Sequence, residues 1–156
     1  MVLLRGGILV LSLMSGNDGS YPAEICRLVL HCEACCRCWI RRSDEMVSIL
    51  CPCYNEEAVL PLFFQRITSV MEGIGEDFEI VCVNDGSHDG TLSLLLDQAE
   101  KDGRVCVVDL SRNFGKEAAL TAALDHSGGD AVIPIDADLQ DPPELIAAML
   151  AKWREG

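Results

Sequence analysis

The sequence contains few aromatic and few basic residues. Of its 156 residues, 5% are aromatic, and 12 Lys and Arg stand against 25 Asp and Glu, which gives a formal net charge of −13. This balance argues against non-specific nucleic-acid binding, which requires lysines and arginines to displace the counterions of the phosphate backbone. An anionic ligand would therefore need a local source of positive charge, such as a metal ion or the N-terminus of a helix.

Several common signatures are also missing from the sequence. No apolar stretch approaches the roughly 18–20 residues that a membrane-spanning helix requires. Neither a G-x-G-x-x-G after the first predicted strand nor a P-loop occurs, which excludes the usual dinucleotide and nucleoside-triphosphate loops. No Ser-His-Asp or Cys-His grouping can be argued either. The chemistry must therefore come from other residue types.

Charge and cysteine content divide the chain near Met46. Residues 1–45 hold five basic and five acidic residues, whereas 46–156 carry the whole −13. Five of the nine cysteines lie between Cys26 and Cys38, but a zinc site normally uses two separated pairs of ligands, and no second pair follows. We expect 1–45 to be an atypical cysteine-rich leader outside the fold, and 46–156 to be the functional domain. The remaining cysteines lie in or beside apolar runs, which fits a reducing compartment.

From Met46 onward, short apolar runs alternate with stretches of helical periodicity. The predicted strands are 47–51, 79–83, 105–110 and 131–135, and the predicted helices are 57–72, 91–101, 116–126 and 143–153. This alternation predicts an α/β fold with a parallel sheet and helices on both of its faces. Such a sheet binds ligands at the carboxyl ends of its strands. The polar residues that follow the strands are therefore the candidates for a functional site.

The strongest candidate is the Asp136-Ala137-Asp138 segment after the fourth predicted strand. Carboxylates two residues apart on extended backbone point the same way and can share a cation. Hard oxygen ligands select Mg²⁺ or Mn²⁺, and such a metal can bridge phosphates and neutralise a leaving group. A solvated acidic loop that caps the next helix is the alternative. The position directly after a buried strand favours the metal site.

Polar residues also follow the first two strands. Asp85, in Asn84-Asp85-Gly86-Ser87, can accept hydrogen bonds from a base or ribose, although these residues are also ordinary turn formers. Tyr54-Asn55-Glu56 can stack on a base and hydrogen-bond its edge. Asn55 can equally serve as the N-cap of the next helix.

The third strand is followed by a basic loop, Ser111–Lys116, in an otherwise acidic domain. Arg112 and Lys116 can meet a diphosphate or an acceptor phosphate. The alternative is that both charges are simply solvated. Lys116 near a helix start opposes the helix dipole, and this conflict favours a functional role.

Four segments carry a family resemblance in their order along the chain. They are Val47–Glu57, Glu79–Thr91, Ser111–Glu117 and Asp136–Glu144. Together they resemble the family 2 glycosyltransferases, and in particular the polyprenyl-phosphate branch that includes bactoprenol glucosyltransferases and dolichol-phosphate mannose synthases. The likeness covers residues 46–156.

The resemblance implies a Rossmann-like glycosyltransferase A fold that binds a nucleotide sugar. The positions that match nucleotide-holding residues of the family are Pro52, Tyr54, Glu56 and Asp85, and those that match its metal and diphosphate residues are Asp136, Asp138 and Gln140. The candidate nucleotide-binding set further includes Asn55, Ser87 and Asp136, and the candidate catalytic set comprises Asp136, Asp138, Arg112 and Lys116. The implied cofactor is Mg²⁺ or Mn²⁺.

The implied reaction transfers a hexose from a UDP- or GDP-sugar to a polyprenyl phosphate with inversion. A phosphate with a second pKa of about 6 is largely ionised near neutral pH and needs positioning more than a strong base. The resemblance places the full-length enzyme at the cytoplasmic face of the cell membrane. It predicts membrane contact only through residues beyond Gly156, and a cytoplasmic location for this chain alone.

Members of the family continue past the position of Gly156 into an acceptor-binding segment. We therefore expect the chain to be a truncated, donor-binding part that transfers no sugar by itself. A nucleotide- or metal-binding module without transfer activity is the alternative, because both would keep the donor site. A nucleotidyltransferase is a weaker alternative, since Cys53-Tyr54-Asn55 stands where its glycine-rich basic loop would be.

Overall fold

The computed structural model describes residues 12–13 and 46–155. In this part of the chain, five parallel strands form one sheet in the order β1-β4-β3-β2-β5. The strands are β1 (Ser12–Leu13), β2 (Val47–Cys53), β3 (Phe78–Asn84), β4 (Val105–Leu110) and β5 (Ala131–Pro134). The helices are α1 (Leu60–Ile74), α2 (Thr91–Lys101), α3 (Lys116–Asp125) and α4 (Leu145–Glu155). The predicted α/β fold with a parallel sheet is confirmed.

β2 lies between β3 and β5 in the sheet. It pairs with β3 from Val47 to Cys53 and with β5 from Val47 to Leu50. The pairing with β5 is prolonged by a hydrogen bond from the Ile135 N–H to the Leu50 carbonyl oxygen, at 2.9 Å. Because all strands are parallel, their carboxyl ends lie at one edge, and the residues after β2 and β5 become neighbours.

Helices cover both faces of the sheet, as predicted. On one face, α1, α2 and α4 bury side chains such as Phe63, Leu95 and Ile146. On the other face, α3 packs through three alanines, Ala119, Ala122 and Ala123, against apolar residues of β2, β3 and β4. Small side chains on α3 allow that helix to approach the sheet closely, which brings its first turn near the strand ends.

Two helix starts differ from the prediction. α1 begins at Leu60 and not at residue 57, and Val59 is the residue before its first turn. Asn55 is therefore not the N-cap of α1. It adopts a positive φ of 56°, and its side chain turns towards the neighbouring loop instead. α4 likewise begins at Leu145, because the two prolines before it form a separate turn with hydrogen bonds to Leu145 and Ile146.

β5 is an edge strand of the described sheet, and it is less buried than its apolar sequence predicts. Ala131 and Ile133 are buried beneath the helices of the first face, whereas Val132 and Pro134 are exposed. By register, these two exposed residues lie on the same face as Leu50, which α3 covers. α3 packs on β2, β3 and β4, so the face of β5 that carries Val132 and Pro134 stays exposed.

Ser12 and Leu13 pair with Asp109 and Leu110 of β4. The other residues of 1–45, including the cysteines between Cys26 and Cys38, lie outside the described residues. The division at Met46 therefore stays a prediction. None of the described helices is long and apolar enough to cross a membrane.

Candidate functional site

An open cleft of about 260 Å³ lies at the carboxyl ends of the strands. The end of β2, the segments that follow β2, β3, β4 and β5, and the first turn of α3 all contribute to its walls. The lining residues are Pro52, Cys53, Tyr54, Glu56, Asp85, Asn113, Gly115, Lys116, Ala119, Asp136, Ala137 and Asp138. The structure thus brings most of the residues singled out in the sequence into one cleft. Tyr54 is 42% exposed at this site and offers an aromatic ring to a ligand.

Asp136 and Asp138 contribute the acidic wall of the cleft. Ala137 between them is buried, while Asp138 is exposed and Asp136 is partly exposed. The Asp138 carboxylate accepts a hydrogen bond from the Gln140 N–H at 3.1 Å, across a turn in which Leu139 has a φ of 57°. This left-handed conformation is unfavourable for a leucine, so the loop is held by its surroundings. Gln140 is exposed and is not among the residues that line the cleft.

The acidic wall acts electrostatically on Glu56, which also lines the cleft. The pKa of Glu56 is raised, first by desolvation and then by the negative charges of Cys53, Asp138 and Asp136. A divalent cation bound in such a cleft neutralises the charge of carboxylates that otherwise repel one another. The oxygen donors of Asp136 and Asp138 suit Mg²⁺ or Mn²⁺. The residues present therefore fit the predicted metal.

Lys116 opposes this negative charge from the first turn of α3. Its Nζ donates a hydrogen bond to Oδ2 of Asp136 at 2.7 Å, and this bond raises the pKa of the lysine. Arg112 behaves differently. Its guanidinium carbon lies 4.3 Å from the centre of the Phe114 ring, and Arg112 is not among the residues that line the cleft. Of the two predicted basic residues, the structure brings Lys116 to the acidic pair.

Asp85 is 2% exposed and holds the loop after β4. Its carboxylate accepts hydrogen bonds from the backbone N–H groups of Phe114, at 2.7 Å, and Gly115, at 2.9 Å. The loop also packs tightly on Gly86, where a Cβ atom would overlap the backbone of Arg112 and Asn113. Sequence reasoning missed this role of Asp85. The partners are 29 and 30 residues away, so no local spacing could have revealed them.

Asn55 and Ser87 join the loops after β2 and β3. The Asn55 N–H donates to the Ser87 hydroxyl at 3.0 Å, and the Asn55 side-chain oxygen accepts from the His88 N–H at 2.9 Å. Neither residue is among those that line the cleft. Their hydrogen bonds instead fix the loop that carries Tyr54 and Glu56. A further link that the sequence did not reveal is the hydrogen bond from the Gly90 N–H to the Glu57 carboxylate.

The sequence is similar to those of known proteins. Residues 48–156 match the family model described as glycosyl transferase family 2. A bactoprenol glucosyl transferase of Shigella phage SfV is 46% identical over 110 residues, which are 70% of this chain and 36% of that protein. An undecaprenyl-phosphate 4-deoxy-4-formamido-L-arabinose transferase of Aeromonas hydrophila is 41% identical over 113 residues, or 72% and 35% of the two chains. The chain thus spans about a third of the length of the curated relatives it matches.

A solved structure is similar over much of the described fold. The mannosyltransferase PcManGT from Pyrobaculum calidifontis, in complex with GDP-Man and Mn²⁺, superposes with a TM-score of 0.62 and 26% sequence identity. The match covers 78% of this chain and 38% of that one.

Proposed function

The chain belongs to glycosyl transferase family 2, and on that premise we propose that it forms the donor-binding part of a hexosyltransferase. The proposed reaction moves a hexose from a UDP- or GDP-sugar to a polyprenyl phosphate with inversion. The observation that carries the proposal is the meeting of Asp136, Asp138, Lys116 and Asp85 in one cleft at the carboxyl ends of the strands. The sheet and helices have the architecture of a glycosyltransferase A fold.

We propose that Asp136 and Asp138 hold Mg²⁺ or Mn²⁺ and that the nucleotide diphosphate binds beside them. The cation would offset the negative charge that develops on the departing diphosphate. The Mn²⁺ and GDP-Man of the Pyrobaculum mannosyltransferase support this assignment. Gln140 is included among the proposed metal ligands on the family resemblance alone. In the structure its side chain is exposed and does not line the cleft.

The nucleotide is proposed to lie along Pro52, Tyr54 and Glu56, with Asp85 beneath it. The exposed Tyr54 ring offers a stacking surface. Asn55 and Ser87 act through the loop that they hold. Asp85 acts in part through Phe114 and Gly115, whose N–H groups it binds.

Lys116 and Arg112 are proposed to meet phosphate groups of the donor or the acceptor. Lys116 already lies beside Asp136 in the cleft. Arg112 would have to leave its position over the Phe114 ring to reach the cleft. The names of the Shigella phage and Aeromonas relatives support a polyprenyl phosphate as acceptor. Its lipid would place the reaction at a membrane surface, and the family resemblance implies the cytoplasmic face.

Calorimetric titration of the full chain with UDP and with GDP, in the presence of Mn²⁺, tests the donor site. We expect binding of at least one of the two nucleotides, and loss of that binding when the metal is removed with a chelator. Binding of neither nucleotide, or binding that is unchanged by the chelator, would contradict the proposed site.

Transfer of radiolabelled sugar onto polyprenyl phosphate separates donor binding from catalysis. We expect the 156-residue chain to bind donor and to transfer no sugar. The acceptor needs a protein wall opposite the donor, and this chain spans about a third of the length of its curated relatives. Proximity to such a wall can contribute about 7–11 kcal/mol to lowering the barrier. Transfer at rates typical of enzymes would show that residues 46–156 already bind the acceptor.

A further inference from the structure

Three cysteine side chains converge in the core directly behind the cleft. Cys51 and Cys53 are two residues apart on β2 and therefore face the same side of the sheet. Cys82 lies beside Cys51 in the register of β2 and β3. The three Sγ atoms all lie within 4.8 Å of one another, and those of Cys51 and Cys53 are 3.6 Å apart. All three residues are buried.

These separations are close to those between the sulfur atoms of three thiolates bound to one metal ion. With metal–sulfur bonds of about 2.3 Å, sulfur atoms around a tetrahedral or trigonal ion lie about 3.8–4.0 Å apart. The sulfur atoms of this cluster already lie near that range. Small side-chain rotations would be enough to place an ion between them, without any change in the pairing of the two strands.

We propose that Cys51, Cys53 and Cys82 form a site for a soft, thiophilic cation such as Zn²⁺ or Cu⁺. Thiolate sulfur selects soft metals, whereas the carboxylates of Asp136 and Asp138 select hard ones. The two neighbouring sites would therefore take different cations. This inference does not depend on the proposed transfer reaction, because it rests on the positions of three core side chains.

The cluster adjoins the cleft through Cys53. Cys53 is the last residue of β2 and also one of the residues that line the cleft, where it precedes Tyr54. An ion could therefore enter past the end of β2 without passing through the core beneath the helices. Once bound, it would lie behind the residues that are proposed to hold the nucleotide.

Binding of a cation by thiolates depends on the protonation of the three cysteines. Hydrogen bonds from Cys51 and Cys82 lower the pKa of Cys53, although burial raises it. Burial and the hydrogen bond with Cys53 raise the pKa of Cys51. The hydrogen bond with Cys51 lowers the pKa of Cys82, but the hydrogen bond with Cys53 and burial outweigh it, so the pKa of Cys82 is raised as well. Each thiol that binds the cation as a thiolate releases one proton to solvent. Affinity would rise with pH, as is usual for thiolate sites.

The alternative is that the three thiols act as small apolar side chains in the core. A titration with Cd²⁺, whose thiolate complexes absorb in the ultraviolet, distinguishes the two. The full chain is used with five leader cysteines changed to serine, under reducing, oxygen-free conditions and with excess Mg²⁺ to fill the carboxylate site. The changed residues are Cys26, Cys32, Cys35, Cys36 and Cys38. We expect about one Cd²⁺ per chain, with release of protons on binding.

Cys82→Ala tests the assignment, and Cys106→Ala is its matched control, because Cys106 lies on β4 outside the cluster. We expect the thiolate absorption to be lost in the first variant and kept in the second, with both variants folded by circular dichroism. X-ray absorption of the Zn²⁺-loaded chain gives an independent result, with three sulfur neighbours expected. Absence of the thiolate absorption, its persistence in Cys82→Ala, or a zinc shell of nitrogen and oxygen would overturn the proposal.

Discussion

Lys116 donates a hydrogen bond from Nζ to Oδ2 of Asp136 at 2.7 Å, and thereby joins the first turn of α3 to the acidic segment after β5. Both side chains are about half exposed, so the pair is screened by solvent and is weak. A cation held by Asp136 and Asp138 would compete with the lysine for the same oxygen. Lys116 would then be available to a phosphate group of the ligand.

Lys116→Met separates these two roles of the lysine. We expect Mn²⁺ alone to bind more tightly to the variant, by at most about fivefold, because an exposed ion pair is lost. With saturating Mn²⁺, UDP or GDP should bind more weakly, by about tenfold, because a charge-assisted hydrogen bond to phosphate is lost. Calorimetry measures both affinities.

Lys152→Met on α4 is the control, because Lys152 also forms an exposed ion pair, with Glu155. It should leave both affinities unchanged. Equal loss of metal and nucleotide affinity in Lys116→Met would show that the lysine stabilises the loop and does not meet the ligand.

Asp138→Asn tests the metal ligands directly. The variant keeps the shape of the side chain and loses one negative charge of the acidic wall. We expect metal-dependent nucleotide binding to weaken by tenfold or more, which is about 1.4 kcal/mol, while the midpoint of unfolding stays the same. Asp141→Asn, an exposed residue that is not among those lining the cleft, is the matched control. Unchanged affinity in Asp138→Asn would rule out this carboxylate as a metal ligand.

The core of the fold could be predicted from sequence because its signals are local. α2 and β4 have the predicted bounds, Thr91–Lys101 and Val105–Leu110, since their apolar periodicity is continuous and ends at polar residues. The start of α1 was predicted too early, because acidic residues and a proline are compatible both with a first helical turn and with the turn that precedes it. The exposed face of β5 was missed, because strand composition does not tell how far a helix extends across a sheet.

The site was predictable in position and less so in contacts. Parallel strands bring their ends together, so the meeting of Tyr54, Asp85, Lys116 and Asp136 follows from topology. The hydrogen bonds of Asp85 to the backbone of Phe114 and Gly115 link distant segments and depend on the course of a loop. The convergence of Cys51 with Cys82 depends on the register of β2 and β3, which the apolar pattern of two almost fully buried strands specifies weakly.

Asp85→Asn is expected to loosen the loop after β4. The asparagine keeps one acceptor oxygen where the carboxylate has two, so one N–H of Phe114 or Gly115 loses its partner. We expect the free energy of unfolding to fall by about 1–3 kcal/mol, and nucleotide affinity to fall as well. Chemical denaturation and calorimetry measure the two effects. Asp125→Asn at the exposed end of α3 should change neither quantity. A stable variant with weak nucleotide binding would instead mean that Asp85 contacts the nucleotide and contributes little to the loop.

Glu56 makes stability depend on pH in a defined direction. Desolvation and neighbouring negative charges raise its pKa in the folded chain above the ordinary value of 4.5. Because the folded state favours the protonated form, Glu56 destabilises the fold once pH rises above that ordinary value. Glu56→Gln should therefore be more stable than the parent near neutral pH, and the difference should vanish below about pH 4.

Unfolding curves of the parent and Glu56→Gln, recorded from pH 3.5 to pH 8, check this expectation. Glu57→Gln is not a suitable control, because the Glu57 carboxylate accepts a hydrogen bond from Gly90. Asp97→Asn, in an exposed position in the middle of α2, is suitable. A stability difference that grows as the pH falls would have the wrong sign and would contradict the assigned cause.

Ser48 closes a buried cluster at the opposite end of the sheet and provides the last prediction. Its hydroxyl donates to Oε1 of Glu79 at 2.6 Å and accepts from the Gly129 N–H at 2.8 Å, while the Gly128 N–H also donates to Glu79. These bonds tie the segment before β5 to β2 and β3, far from the cleft. Ser48→Ala removes a buried partner from both Glu79 and Gly129, so the free energy of unfolding should fall by about 1–3 kcal/mol. Nucleotide affinity at 25 °C should be unchanged in the fraction that is folded. Chemical denaturation and calorimetry on the same samples measure the two quantities. A loss of affinity without a loss of stability would mean that β5 transmits changes from this cluster to Asp136.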